Sequence, residues 1–140
     1  MGSKAESITV KATVHAPVAE VWKKWTTPDD IRQWCSASDD WHVPAATNDL
    51  RVGGKFVTRM EARDGSFGFD FGGDYREVAH ESSLHYVMED GREVRVLFQK
   101  DGDTTHITET FDAESENPVE MQRAGWQAIL DNFKKFAESR

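Results

Sequence analysis

At 140 residues, with a formal charge of −8 from 25 acidic and 17 basic side chains, the chain has the length of one domain with one core, and its surface repels phosphate backbones, which argues against general nucleic-acid binding. A single cysteine, Cys35, excludes an internal disulfide and any metal site built from several thiolates, and fits a reducing, cytoplasmic setting. No apolar run approaches the length of a membrane span, and the first residues lack the apolar segment of a signal peptide.

Ile8, Val10, Ala12 and Val14 alternate with Thr9, Lys11, Thr13 and His15. That period of two predicts a half-buried strand, closed by Ala16–Pro17. Val18, Val21, Trp22 and Trp25 then fall at helical spacing, with Glu20, Lys23 and Lys24 facing away. Thr27 reads as the N-cap of a second short helix, with Pro28 at its first position and its end near Trp34. Residues 35–48 are the least regular stretch, and Trp41 within them either plugs the core from outside or forms the lip of a cavity.

Gly53–Gly54 between β-prone flanks predicts a hairpin turn and lacks the spacing of a phosphate loop. Phe56, Thr58, Met60 and Ala62 share one face of the outgoing strand, which turns at Asp64–Gly65. Phe67, Phe69, Phe71 and Tyr75 share one parity of a long strand, and Gly72–Gly73 predicts a bend within it. Strands follow at Leu84, Tyr86 and Met88, at Val94, Val96 and Phe98, and at Ile107, Glu109 and Phe111, separated by turns at Asp90–Gly91 and over 100–103.

From Asn117 onward the pattern changes to a long helix. Trp126, Ile129, Leu130, Phe133, Phe136 and Ala137 recur at spacings of three and four. Asn117 is expected to cap it, with Pro118 at the first position and Glu120 making a reciprocal bond. Lys134, Lys135 and Arg140 suit the negative end of its dipole. An indole and two phenyl rings on one stripe require a broad partner, and short-looped antiparallel strands supply one.

The segments at 16–34, 49–56, 74–78 and 125–133 together resemble the helix-grip fold of the START/Bet v 1-like (SRPBCC) superfamily. More narrowly, they resemble bacterial relatives of the activator of Hsp90 ATPase homologue 1-like family. The resemblance implies an α+β fold: a curved antiparallel sheet around a long C-terminal helix, with two short helices after the first strand, forming one domain over 7–138. It also implies that a cavity can lie between sheet and helix.

Three functions then stand side by side: binding of a small hydrophobic or amphipathic ligand in that cavity, a chaperone-cofactor-like module with a protein partner, and a cavity enzyme acting on a cyclic or aromatic substrate. No cofactor is implied, and both a monomer and a homodimer are compatible with the sequence.

The residues expected to line such a cavity are Trp41, Phe56, Met60, Phe69 and Phe71, then Tyr86, Met88, Phe98 and Trp126. Each also suits plain core packing. Glu109 is the polar candidate for binding and the one weak candidate for catalysis. Its parity places it with Ile107 and Phe111, and a buried carboxyl must be paired or take up a proton. Pairing with Arg95 is the structural alternative. Arg51 and Arg59 can face an acidic ligand at the mouth or pair with surface carboxylates, and Asp49 serves the Gly53–Gly54 turn or pairs with an arginine. The five histidines form no close-spaced ligand motif, so no metal is expected. Cys35 reads as a structural thiol.

Overall fold

Period-two alternation becomes seven strands and period-3.6 alternation becomes three helices. The computed structural model describes residues 6–36 and 38–139; the segment at 1–5, read above for a leader, and Arg140 lie outside them. In chain order the elements are β1 (Ser7–Val14), α1 (Val18–Thr26), α2 (Pro28–Trp34), β2 (Trp41–Asn48), β3 (Lys55–Ala62), β4 (Gly68–Ala79), β5 (Ser83–Met88), β6 (Glu93–Asp101), β7 (Thr104–Asp112) and α3 (Val119–Glu138). The strands form one antiparallel sheet in the order β1-β7-β6-β5-β4-β3-β2. The two short helices therefore carry the chain from one sheet edge to the other, and α3 packs against β1 and α2. This is the expected curved sheet around a long helix.

Three local expectations are corrected. The irregular stretch contains a strand: Trp41–Asn48 pairs with β3, with a register shift between His42 and Ala45 where Pro44 sits. Proline lacks a ladder donor, but an edge strand and a bulge tolerate it, and β2 is an edge. Asn117 does not cap α3. Its side chain donates to the Glu114 carboxylate at 2.8 Å, Pro118 occupies the cap position, and Glu120 pairs with Arg123 instead. The register shift in β4 falls between Tyr75 and Glu77 rather than at Gly72–Gly73. Those glycines answer to crowding: a Cβ on Gly73 would stand 2.7 Å from the Val87 carbonyl oxygen, and one on Gly72 would strike the Phe56 carbonyl.

The inner faces of β1, β6 and β7 carry Ile8, Val10, Val94, Val96, Ile107 and Phe111, all fully buried. Against them sits the C-terminal half of α3. Phe133 is completely buried and meets Trp25 and Trp34 edge-on, with ring centroids 4.9 and 4.8 Å away. Asn132 Nδ2 donates to the Trp34 carbonyl at 2.8 Å and ties α3 to α2.

Candidate functional site

The N-terminal half of α3 behaves differently. Trp126 and Ile129 are only half-buried, and beneath them lies a cavity of about 410 Å³. Strand β3 contributes Phe56, Thr58 and Met60; β4 contributes Phe69, Phe71 and Tyr75; β5 contributes Leu84, Tyr86 and Met88. Strand parity explains these triplets, since alternate side chains point to the concave face. Trp34 and Cys35 close the inner end, and Gln122, Trp126, Ile129 and Leu130 form the roof. Trp126 is held flat on Phe111, with centroids 3.8 Å apart and planes 12° from parallel, and its edge meets Phe71.

Eight of the ten residues singled out for a cavity are brought together on its walls: Phe56, Met60, Phe69 and Phe71, then Tyr86, Met88, Glu109 and Trp126. Trp41 stands outside, at the lip. It meets Phe67 and Phe69 edge-on and borders a shallower recess shared with Met121 and Trp126. Phe98 is not on a wall. It is buried against Trp22 and Trp25, because β6 lies on the filled side of the sheet.

Glu109 is 6% exposed and lines the cavity from β7, between Val10 and Val96 on the neighbouring strands. Among the described residues its carboxyl has no hydrogen-bond or ion-pair partner. Arg95 is exposed on the other face of the sheet, so the pairing considered above does not form. Burial alone pushes the Glu109 pKa up to about 8, so the group is mostly protonated at neutral pH. In that state it can donate a hydrogen bond or a proton to a bound molecule. The Cys35 thiol is pushed up to about 12 by burial and then by the Glu109 charge, which removes it as a nucleophile at neutral pH. Burial likewise raises the Tyr86 hydroxyl, with the Glu109 charge adding to it.

Several polar wall residues escaped the sequence reading as site candidates, and two of them, Thr58 and Gln122, are buried. Thr58 is buried on β3 and its hydroxyl takes no side-chain hydrogen bond among the described residues. Gln122 is buried at the start of α3. Its amide donates to the carbonyls of Glu114 and Asn117 and accepts from the Glu114 N–H at 2.9 Å, fixing the loop that enters α3. A glutamine on a helical stripe carries no sequence signal for this, because its partners are backbone groups. Arg51 pairs with Asp49 at 2.9 Å and Arg59 pairs with Glu61 and Asp70, so these arginines are spent on local carboxylates. Among the described residues no group of three or more His, Cys, Asp or Glu side chains is placed to hold a metal ion, and no helix is long and apolar enough to cross a membrane.

Comparison with known proteins agrees with this architecture. Residues 15–138 match the family described as activator of Hsp90 ATPase homolog 1-like protein. The solution structure of an AHSA1-like protein from Aeromonas hydrophila is 45% identical, with a TM-score of 0.90 over 96% of this chain and 93% of that one. A protein from Cytophaga hutchinsonii is 52% identical, with a TM-score of 0.82 over 99% of this chain and 94% of its own. A protein of Nitrosomonas europaea shares the fold at 19% identity, with a TM-score of 0.81 over 99% of this chain and 97% of that one. No curated protein matches the chain.

Proposed function

This chain belongs to the activator of Hsp90 ATPase homolog 1-like family, and from that premise we propose that it binds a small amphipathic molecule in the cavity beneath the N-terminal half of α3. One observation carries the reading. An aromatic-walled space of about 410 Å³ contains two buried polar groups, Glu109 and Thr58, that the protein itself leaves without side-chain partners. Ligand pockets of roughly 300–1,000 Å³ combine mostly apolar walls with a few such groups. Among the described residues no polar side-chain atom is sealed in without a partner, so the Glu109 and Thr58 oxygens open onto the cavity, where a bound molecule can hydrogen-bond to them.

The test is a titration of the chain with N-phenyl-1-naphthylamine, a neutral apolar fluorophore, followed by tryptophan quenching. Saturable one-to-one binding that perturbs Phe56, Phe71, Tyr86 and Trp126 resonances is expected. Absence of saturation up to the solubility limit, or perturbations confined to the outer surface, would overturn the reading.

A second reading, a chaperone-cofactor-like protein-interaction module, is favoured by the family description and by the apolar lip. Phe67 is 63% exposed and Met121 62%, on either side of Trp41. Adding the chain to a purified Hsp90 and following ATP hydrolysis tests it: stimulation lost on Phe67→Ser supports this reading, and no change in rate removes it.

A further inference from the structure

The cavity's electrostatics narrow the chemistry of what it takes. Five carboxylates line it, those of Asp70, Glu89, Asp90, Glu109 and Glu114, against one guanidinium, that of Arg92. Arg92 is already bound to Asp90 at 2.7 Å, and Asp70 is paired with Arg59 from outside the walls. Glu89 and Glu109 form no ion pair among the described residues, and Glu114 accepts hydrogen bonds from Glu116 and Asn117 with the Arg92 charge nearby. Exposed carboxylates alone signify little, since water and salt screen them. Glu109 is the independent observation: a carboxyl buried to 6% exposure, facing the cavity, with neither donor nor cation from the protein. The aromatic faces of Phe71, Tyr86 and Trp126 share the same space, and a cation is attracted to such faces once it leaves water. The chain as a whole carries −8, which favours approach of a cation over an anion.

We propose that the cavity selects an apolar or aromatic ligand bearing a protonated amine, with the ammonium group seated on the Glu109 carboxylate and the apolar body between the aromatic walls. The inference rests on the small-molecule reading above. It excludes fatty acids and other anionic amphiphiles as preferred ligands, since their carboxylates would meet a wall of the same sign.

A proton signature accompanies this recognition. The titratable groups sharing the space with Glu109 are Cys35 from the end of α2, Asp70 and Tyr75 from β4, Tyr86 from β5, Glu89, Asp90 and Arg92 from the turn between β5 and β6, and Glu114 from the segment before α3, while its strand neighbours Val10 and Val96 do not titrate. Glu109 is mostly protonated in the empty cavity at pH 7, with a pKa of about 8. An arriving ammonium ion favours the carboxylate, so the carboxyl gives up its proton to solvent as the ion pair forms.

The experiment compares 2-(1-naphthyl)ethylamine, 2-(1-naphthyl)ethanol and 1-naphthylacetic acid, which share one ring system and differ in charge, by calorimetry on the full chain. At pH 7 the amine is expected to bind at least about tenfold more tightly than the alcohol, and the acid no better than the alcohol. Repeating the amine titration in buffers of different ionisation enthalpy should report release of most of one proton per bound amine. Glu109→Gln should bring the ratio of amine to alcohol affinity to near one. Equal affinities of amine and alcohol, no proton release, or an amine preference that survives Glu109→Gln would overturn the proposal while leaving the cavity reading standing. Failure of all three probes to bind would instead overturn the cavity reading, and this inference with it.

Discussion

The two halves of α3 face the same sheet and do opposite things. The C-terminal half presents Phe133 and Ala137, fully buried where α3 packs on α1, α2 and β1. The N-terminal half presents Gln122, Trp126 and Ile129, and stands over a cavity of about 410 Å³. Both halves follow the same helical stripe. What differs is the opposing surface. Under the C-terminal half, the indoles of Trp25 and Trp34 project from two helices and reach up to meet Phe133. Under the N-terminal half the facing surface is β3, β4 and β5, with Trp34 and Cys35 at the inner end only, and their side chains leave the space unfilled. An amphipathic stripe thus reports which face is buried without reporting how completely the buried space is filled.

The largest expected contrast is between two truncations on that one stripe. Phe133→Ala removes a ring from a filled region and should lower stability by about 3–5 kcal/mol, whereas Trp126→Ala, at the edge of existing space, should cost roughly half as much. Urea denaturation measures both, and equal losses would erase the distinction between the halves. Trp126→Ala should also weaken binding of N-phenyl-1-naphthylamine, because the cavity loses its roof.

Next in size is the pH response of Glu109. Folded, it keeps its proton up to about pH 8; unfolded, a glutamate releases it near ~4.3. Between these values the folded state holds more protons, so stability is highest below the window and falls as pH rises through it. Wild type should lose roughly 2–4 kcal/mol more than Glu109→Gln between about pH 5 and pH 8. Parallel pH profiles for the two proteins would place the carboxyl in water rather than in the cavity.

Gly73→Ala tests the close approach of β4 to β5. A Cβ there meets the Val87 carbonyl at 2.7 Å, so β4 and β5 must shift, at a cost of about 1–3 kcal/mol by thermal denaturation. The smallest effect belongs to the lip. Phe67→Ser, at a side chain 63% exposed, should change stability by less than about 0.5 kcal/mol. A larger loss would mean that the lip is part of the core.

Much of this was legible beforehand. Alternation assigned every strand from β3 to β7, and parity assigned Phe56, Met60, Phe71, Tyr86 and Glu109 to the concave face, where they stand. Three features escaped for separate physical reasons. Strand β2 was hidden by Pro44, which an edge bulge accommodates. Phe98 has the parity of a wall residue, but parity does not say on which side of a curved sheet the filling helices lie, and Trp22 and Trp25 fill its side. Gln122 acts through backbone partners in a loop whose path only the fold defines.

Xenon binding tests the central contrast most directly, because xenon enters apolar space and needs no particular ligand chemistry. In xenon-saturated solution, the methyl resonances of Met60, Met88, Ile129 and Leu130 around the cavity should shift, while those of Val14 and Val21 in the filled region should stay in place. Shifts at both sets alike, or at neither, would contradict a molecule whose long helix seals one half of its interior and roofs an open space in the other.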